Sequence, residues 1–402
     1  MKLMKIITII AIIIFISLTN KALLPVSNEI DNMEILKLVG LDYNKEEDDT
    51  RASLSFMMEK EEGGIGSEGE TKKEYQEIMT YKSTSFNEAV RQMQFYTDKN
   101  VAGSHVKYFL IGEETAKNNI NNAIEKLAKD QEVRLSSHVY LVKGMTAQKF
   151  LEEMVSSEYK LTEKLISMEE KSSEKTITKE LTLSELLSSK LSKSGTYLIP
   201  TLTVNSSEEL IEIKGGEEEQ DESMKKRFDF YGYGIMKDNK LLSYINQDEA
   251  IIYNMLINKA EGGNIDIETK SGDIISFGIN DIETSYTFNF SKDKLKQINI
   301  KIEFRSNFEE VQTEQDITKQ NNMDEYEKLQ EEKIKKQAKV LMVKSQKLNT
   351  DILGIEQKIK IRHPYKYKKI ESTFEDNYPN VNINIEVKAS IDRTYDIVEI
   401  HK

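Results

Sequence analysis

Few residues in this chain stand at the spacings that chemistry requires. A G-x-G-x-x-G pattern occurs at Gly64, Gly66 and Gly69, the arrangement that in a βα turn brings backbone amides up to a pyrophosphate. Its setting is wrong for that use. Glu61, Glu62, Glu68 and Glu70 surround it and would repel a phosphate, and the following ETKKEYQE lacks the apolar face of a helix packed on a dinucleotide-binding sheet. The pattern is therefore read as a hairpin loop. The four histidines, His105, His138, His363 and His401, are scattered, with none in H-E-x-x-H spacing, so no metal or His-based centre is predicted. Acidic pairs such as Glu61 and Glu62, or the run Glu217 to Glu219, have the residue types for acid and base work, but they lie in polar stretches where nothing would raise a carboxylate pKa. No G-x-S-x-G or S-x-x-K constellation stands out for a serine nucleophile. Cysteine is absent, which removes disulfides, thiolate metal sites, a cysteine nucleophile and lipidation on cysteine. No catalytic, cofactor-binding or metal-binding residue is predicted, no cofactor is implied, and no ligand-binding residue is assigned.

One basic stretch runs against the acidity of the whole. KIKIRHPYKYKK concentrates Lys358, Lys360, Arg362, Lys366, Lys368 and Lys369 around Tyr365 and Tyr367. Basic residues interleaved with aromatics can bind nucleic acid or an anionic lipid surface. The plainer reading is a connection with its lysines in water and its tyrosine rings packed inward. The net charge of -13 over 402 residues disfavours nucleic acid as a partner of the whole chain.

The N-terminus does carry a clear signal. Lys2 and Lys5 precede the apolar run that begins at Ile6, the layout of an export signal, and no A-x-A cleavage site follows. The positive flank places everything after Pro25 outside the cytoplasmic membrane. A helix from Ile6 to Leu18 would span only about 20 Å, but one extended to Leu24 reaches roughly 28 Å, close to the hydrocarbon thickness, with Lys21 able to snorkel. The segment is accordingly expected to stay as an uncleaved anchor. Residues 1–25 are read as signal or anchor, 29–214 as an N-terminal region, 215–224 as a linker and 225–402 as a C-terminal region, with the boundary near Gly216 in the charged stretch IKGGEEEQDESMKKR.

The elements read as mixed. RASLSFMM alternates as a strand, and STSFNEAVRQM is a helix with Ser85 and Glu88 as its capping box and Phe86, Ala89, Val90 and Met93 on one face. HVKYFLIG alternates Val106, Tyr108 and Leu110 as a strand; Ile120, Ala123, Ile124 and Leu127 then share a helical face, and SSHVYLVKG is the next strand. This αβαβ unit is expected to pack its helices on one face of a mixed sheet. A peripheral helix around LTLSELLSSKL and a strand GTYLIPTLTVN follow. The C-terminal region opens with a hairpin in FDFYGYGIMKDNKLLSYI and a helix capped by Asn246 and Glu249. Its strand QINIKIEF puts Ile298, Ile300, Ile302 and Phe304 on one face. A long helix carries Tyr326, Leu329, Ile334, Ala338 and Leu341 as an apolar stripe that should lie across a sheet, and NVNINIEVKASI forms the final strand. The fold class is α+β, a multi-domain ectodomain with antiparallel or mixed sheets flanked by helices, behind a membrane segment.

Several of these stretches together resemble the Ger(x)C family, the C subunits of nutrient germinant receptors in spore-forming bacteria. DNMEILKLVGLDYN is similar to the family's first strand with its Gly-hydrophobic-Asp, here Gly40, Leu41 and Asp42. SHVKYFLIGEETAK is similar to its strand followed by Gly-Glu-Glu-x-Ala, here Gly112, Glu113, Glu114 and Ala116. DQEVRLSSHVYLVKGMTAQKFLE resembles the segment in which an Arg, here Arg134, leads a strand and then a helix. The hairpin YGYGIMKDNKLLSYINQDEA, the long helix, NTDILGI with Asp351 and Gly354, HPYKY and the last strand keep the family's order. The resemblance covers nearly all of the chain after about Ile30. Two departures matter: the family's lipobox Cys is missing, with ALLPVSNEID in its place, and Trp is absent throughout.

The resemblance implies a non-enzymatic receptor subunit at the outer face of the spore inner membrane, beside integral-membrane A- and B-type partner subunits, with no catalytic residues and a mixed α and β fold. An extracytoplasmic solute-binding protein would instead show two similar α/β lobes around a cleft, whereas these halves are unlike. A cell-envelope hydrolase would need a convergent carboxylate or metal site.

Overall fold

The computed structural model describes residues 33–43, 51–62, 73–156, 160–190, 193–205, 226–311 and 319–392. The N-terminal apolar run and its expected anchor, the G-x-G-x-x-G loop, Glu217 to Glu219, the linker around Gly216 and His401 lie outside these residues. Among the described residues no helix is long and apolar enough to cross a membrane.

The larger sheet has eight strands in the order β10-β9-β8-β7-β6-β2-β3-β4. These are β2 (Leu38–Asp42), β3 (Ala52–Glu62), β4 (Lys73–Ser83), β6 (Tyr108–Gly112), β7 (His138–Val142), β8 (Thr196–Asn205), β9 (Arg227–Lys237) and β10 (Lys240–Ile245). Its centre, β2, β6, β7 and β8, is parallel, and antiparallel hairpins finish both edges. A short parallel pair, β1 (Met33–Ile35) with β5 (Asn100–Ala102), stands beside it. The helices of this half are α1 (Phe86–Gln94), α2 (Glu113–Lys129), α3 (Ala147–Ser156), α4 (Leu161–Glu174) and α5 (Leu183–Lys190).

Local sequence accounts for much of this. Ser85 caps α1 by accepting from the Glu88 amide at 3.1 Å, as the sequence predicts. The Glu88 carboxylate, however, turns to the Thr84 amide at 2.8 Å rather than closing the box on Ser85. Ile120, Ala123, Ile124 and Leu127 are all buried on α2. The helices of the αβαβ unit share one face as expected: α1 and α2, joined by α5, pack with Leu41, Phe56, Phe109 and Ile111 on one side, while α3 and α4, from beyond that unit, pack with Leu38, Tyr108, Leu110 and Tyr140 on the other. That is also why β6 does not alternate but is buried at all five positions, the pattern of a parallel strand covered on both faces.

The hairpin β9–β10 turns at Asp238 and Asn239, with φ of 50° and 64°, the left-handed pair that a two-residue hairpin needs. It pairs with β8 and so completes the eight-stranded sheet from beyond the linker. The capping box at Asn246 and Glu249 is present in both directions and starts α6 (Gln247–Leu256). The second sheet, β11 (Gly263–Glu268), β12 (Ile274–Ser291), β13 (Lys294–Val311) and β14 (Asn382–Ile391), runs in that order. The last strand returns parallel to β13 in unbroken register from Asn382 to Ile391. One face of this sheet is covered by α6, by α7 (Gln320–Lys347) and by the short helices α8 (Ile355–Arg362), α9 (Pro364–Ile370) and α10 (Phe374–Asn377).

The long helix α7 lies across that sheet as expected, and Tyr326, Ile334, Ala338 and Leu341 are buried. Leu329 is only half-buried, because the inward row runs Met323, Tyr326, Gln330, Ile334 and Ala338 and puts Gln330 one residue further round. Two acids on the same helix guard the open edge of β14: Glu331 accepts from the Ala389 amide at 3.2 Å and Glu327 from the Ile391 amide at 2.9 Å. An edge occupied in this way cannot template another strand at those positions.

Gln330 is fully buried, yet neither Nε2 nor Oε1 has a hydrogen-bond partner among the described residues. A buried amide left unpaired costs about 1–3 kcal/mol. Gln330→Met, which keeps the volume, should therefore raise the urea midpoint, whereas Ile334→Ala should lower stability by about 2–5 kcal/mol. Chemical denaturation of the two variants checks both signs; a lower midpoint for Gln330→Met would mean that the amide is satisfied in solution.

Candidate functional site

The two lobes meet along α5, β8 and β9 on one side and α6, α8 and α9 on the other, and a cleft of about 480 Å³ lies between them. Glu185, Lys193 and Tyr197 face it from the first lobe, and Tyr253, Asp351 and Lys360 from the second. Its charges are largely committed. Glu185 accepts from the Thr182 amide and hydroxyl, both at 2.9 Å. Lys193 pairs with Glu371 at 3.0 Å across the lobes, and Lys237 bridges to Glu375 at 2.5 Å and to the Asn349 carbonyl at 2.9 Å. Deeper in, the Tyr233 hydroxyl donates to Asn254 Oδ1 at 3.0 Å, and Asn254 Nδ2 donates to the Thr176 carbonyl at 2.8 Å. These ties join the α4–α5 connection to α6.

Asp351 sits where α8 begins. Its two carboxylate oxygens accept from the Ile355 and Glu356 amides, both at 2.8 Å, and Gly354 makes the approach with a left-handed φ of 61°. Burial pushes the carboxyl up to about 6, against the pull of the two amides. Asp42 repeats the device in the first lobe. It ends β2 and accepts from the Ala147 and Gln148 amides at the start of α3, both at 2.9 Å, and burial raises its pKa too. Two glycines make room for it. A Cβ on Gly112 would stand 2.1 Å from Asp42 Oδ1, and one on Gly40 would stand 3.0 Å from Ala147 Cβ. Beside them Glu113 accepts from the Gly144 amide at 2.5 Å and the Tyr244 hydroxyl at 2.9 Å, and pairs with Lys117. The stretches around Gly40 to Asp42 and Gly112 to Ala116 thus form one joint, at which β2, β6, α2, α3 and β10 meet.

A second polar cluster lies outside every motif read from the sequence. Glu169 of α4 lies 2.5 Å from His138 Nδ1 and accepts from the Tyr140 hydroxyl at 2.6 Å and the Tyr108 hydroxyl at 2.9 Å. Burial pushes Glu169 up, but these hydrogen bonds together hold it below the usual carboxylate range. Burial and the nearby carboxylate raise both tyrosines well above their ordinary value. Tyr108 and His138 are register partners on adjacent parallel strands, and Tyr140 follows two residues on, so all three side chains emerge on the face that α4 covers. The signal was present in SSHVYLV: two polar-tipped residues at i and i+2 in a strand otherwise apolar. Among the described residues no group of three His, Asp or Glu could hold a metal.

The remaining sequence candidates stay apart. His105 is exposed in the 3₁₀ turn Gly103–His105, and His363 sets its ring edge against Phe288 and Phe290. Glu61 and Glu62 end β3. Arg134 is exposed, and its carbonyl accepts from the Ser137 amide at 3.1 Å ahead of β7. The basic stretch becomes α8 and α9. Tyr367 packs inward as expected and donates to Glu356 at 3.0 Å, but Tyr365 is 84% exposed and Ile361 71%, because both lie on the outer side of the bend at His363.

Comparison with known proteins agrees with this architecture. A family model described as the spore germination protein N-terminal domain matches residues 27–204, and one described as spore germination B3/GerAC like, C-terminal, matches residues 231–395. The chain is similar in fold to the protein of the crystal structure of GerBC, with a TM-score of 0.55 and 17% identity, covering 88% of this chain and 96% of that one. No match is found among curated proteins.

The Asp351 cap gives a pH test. Its pKa is about 6 when folded against 3.8 for an ordinary aspartate, so the folded state binds the extra proton. The stabilisation from this group is complete below about pH 4 and is lost as the pH rises through 6. Relative to Asp351→Asn, which cannot titrate, the wild-type thermal midpoint should rise as the pH falls from about 7 towards 4. Parallel midpoints for the two proteins over that range would show that the carboxyl is solvated.

Proposed function

The chain belongs to the GerAC-like family of spore germination proteins, and from that premise we propose that it serves as the non-enzymatic C subunit of a nutrient germinant receptor, supporting receptor assembly and signalling. The observation that carries the reading is that both family models match in order, one in each region of the chain. The paired state of the buried acids supports it: Asp42, Asp351, Glu113 and Glu169 are each engaged by the chain's own donors, which is the chemistry of a scaffold. We place the ectodomain on the outer face of the spore inner membrane, beside A- and B-type integral-membrane subunits.

With no cysteine to acylate, the subunit needs another attachment, and we assign that role to the N-terminal apolar segment as a retained helix reaching to Leu24. Protein recovered from spore membranes after an alkaline carbonate wash should keep the segment. A chain beginning near Asn20 or later, or its release into the wash, would leave tethering to partner proteins alone.

Deletion of the gene should slow or abolish the response to particular nutrients while sporulation proceeds normally, and reciprocal co-purification from dormant spores should recover two multi-span membrane proteins. Unchanged germination with every nutrient, in a strain without a second receptor of this class, would remove the receptor reading. Tight binding of an amino acid or sugar by the isolated ectodomain would favour a solute-binding role for the cleft instead.

A further inference from the structure

Phe95 and Tyr96 are 87% and 74% exposed, two consecutive aromatics standing in solvent where α1 ends. They are held there by design of the turn. Gln94 donates to the Lys99 carbonyl at 2.8 Å and accepts from the Val101 amide at 2.7 Å, while the Thr97 hydroxyl donates to the same carbonyl at 2.6 Å. The Phe95 and Tyr96 amides close the helix on Gln92 and Met93 at 3.2 and 2.9 Å. The Tyr96 ring also rests 6.2 Å from Tyr81. Two adjacent aromatics held in this way offer apolar area for a contact.

Its position indicates what it contacts. The turn leads into β5, whose Asn100 is the register partner of Met33 in β1. Strand spacing and chain reach put Tyr96 within roughly 20 Å of Met33. Met33 in turn follows Leu24, the end of the apolar segment, by nine residues, a tether of roughly 32 Å at full extension. The exposed aromatic pair therefore lies within about 20 Å of the first described residue after the proposed anchor. Arg91 and Lys99 are exposed on either side, against one exposed acid in the turn, Asp98. Aromatic rings flanked by cations are the side chains that settle in the headgroup layer of a bilayer.

We propose that Phe95 and Tyr96 insert into the interfacial layer of the membrane that holds the N-terminal segment, so that the ectodomain is fixed at two points and takes one orientation. The inference rests on the anchor reading. The rival face is the α8–α9 bend with Ile361, Tyr365 and its lysines, which has the same chemistry but no link to the chain's point of arrival.

The protein has no tryptophan, so Phe95→Trp, Tyr96→Trp and Tyr365→Trp each give a single fluorophore at an exposed position. Each full-length variant is reconstituted into phosphatidylcholine–phosphatidylglycerol vesicles with brominated acyl chains, and flotation and tryptophan emission are read on the same sample. Flotation with blue-shifted, quenched emission at positions 95 and 96 and unquenched emission at 365 is expected. Flotation without quenching at 95 and 96 overturns the proposal and leaves the anchor standing. Quenching at 365 in their place overturns it and turns the α8–α9 bend to the membrane, and a chain that does not float removes the anchor and the proposal with it.

Discussion

A carboxylate taken out of water is costly unless donors replace its hydration, and the start of a helix is one of the few places where backbone donors stand free. This chain uses that complementarity once in each lobe. Asp42 ends β2 and receives two amides of α3; Asp351 follows α7 and receives two amides of α8. In both cases the acid fixes the direction in which the chain leaves one element and enters the next. Around Asp42 the requirement spreads to other residues, because Gly112 and Gly40 must lack side chains for the strand and helix to close over the carboxylate. The helix dipole adds to the attraction, and the net raised pKa of both acids shows that burial still outweighs it.

The same economy of donors governs the junction between lobes. Lys193 and Lys237 reach across to Glu371 and Glu375, and Tyr233 and Asn254 carry hydrogen bonds to the Thr176 loop. Exposed ion pairs contribute little by themselves. The buried amide and hydroxyl cannot be separated without leaving partners unpaired, which costs more. Because β9 and β10 belong to the eight-stranded sheet while α6, directly after them, packs on the second core, the chain itself also crosses this junction as continuous secondary structure. A displacement of one lobe is thereby coupled to the other, a property that suits a subunit whose proposed work is to pass on a change of state.

Sequence periodicity revealed elements well and their surroundings less well. The caps at Ser85 and Asn246, the turn at Asp238 and Asn239, and the buried faces of α2 and β13 are local events, decided within a few residues. Whether a strand is covered on one face or two is decided by helices distant in sequence, and so β6, read as an alternating strand, is wholly buried. Gln330 was passed over on α7 because an amide on an apolar stripe looks like the polar flank of that stripe. Glu169 was missed for a stronger reason. Its partners come from β6, β7 and α4, and only the parallel register of Tyr108 with His138 brings them together. The motif residues Asp42 and Asp351 could be singled out by resemblance, but their shared role as helix caps becomes legible only when the amides opposite them are located.

The proposed setting places its own demand on the surface. An ectodomain of a chain with net charge -13, held near anionic lipid, is repelled within a screening length of about 8 Å at physiological salt. A single flexible tether would let it stand off at any angle. Close approach is therefore confined to places where local chemistry reverses the overall sign or supplies apolar area. Among the described residues such places include the aromatic corner at the end of α1 and the cationic bend between α8 and α9. They belong to different lobes. Since the junction ties hold those lobes together, membrane contact at either one would restrict the orientation of both. Orientation, rather than affinity for the membrane, is then what the surface pattern can govern, and it decides which face remains open to neighbouring subunits.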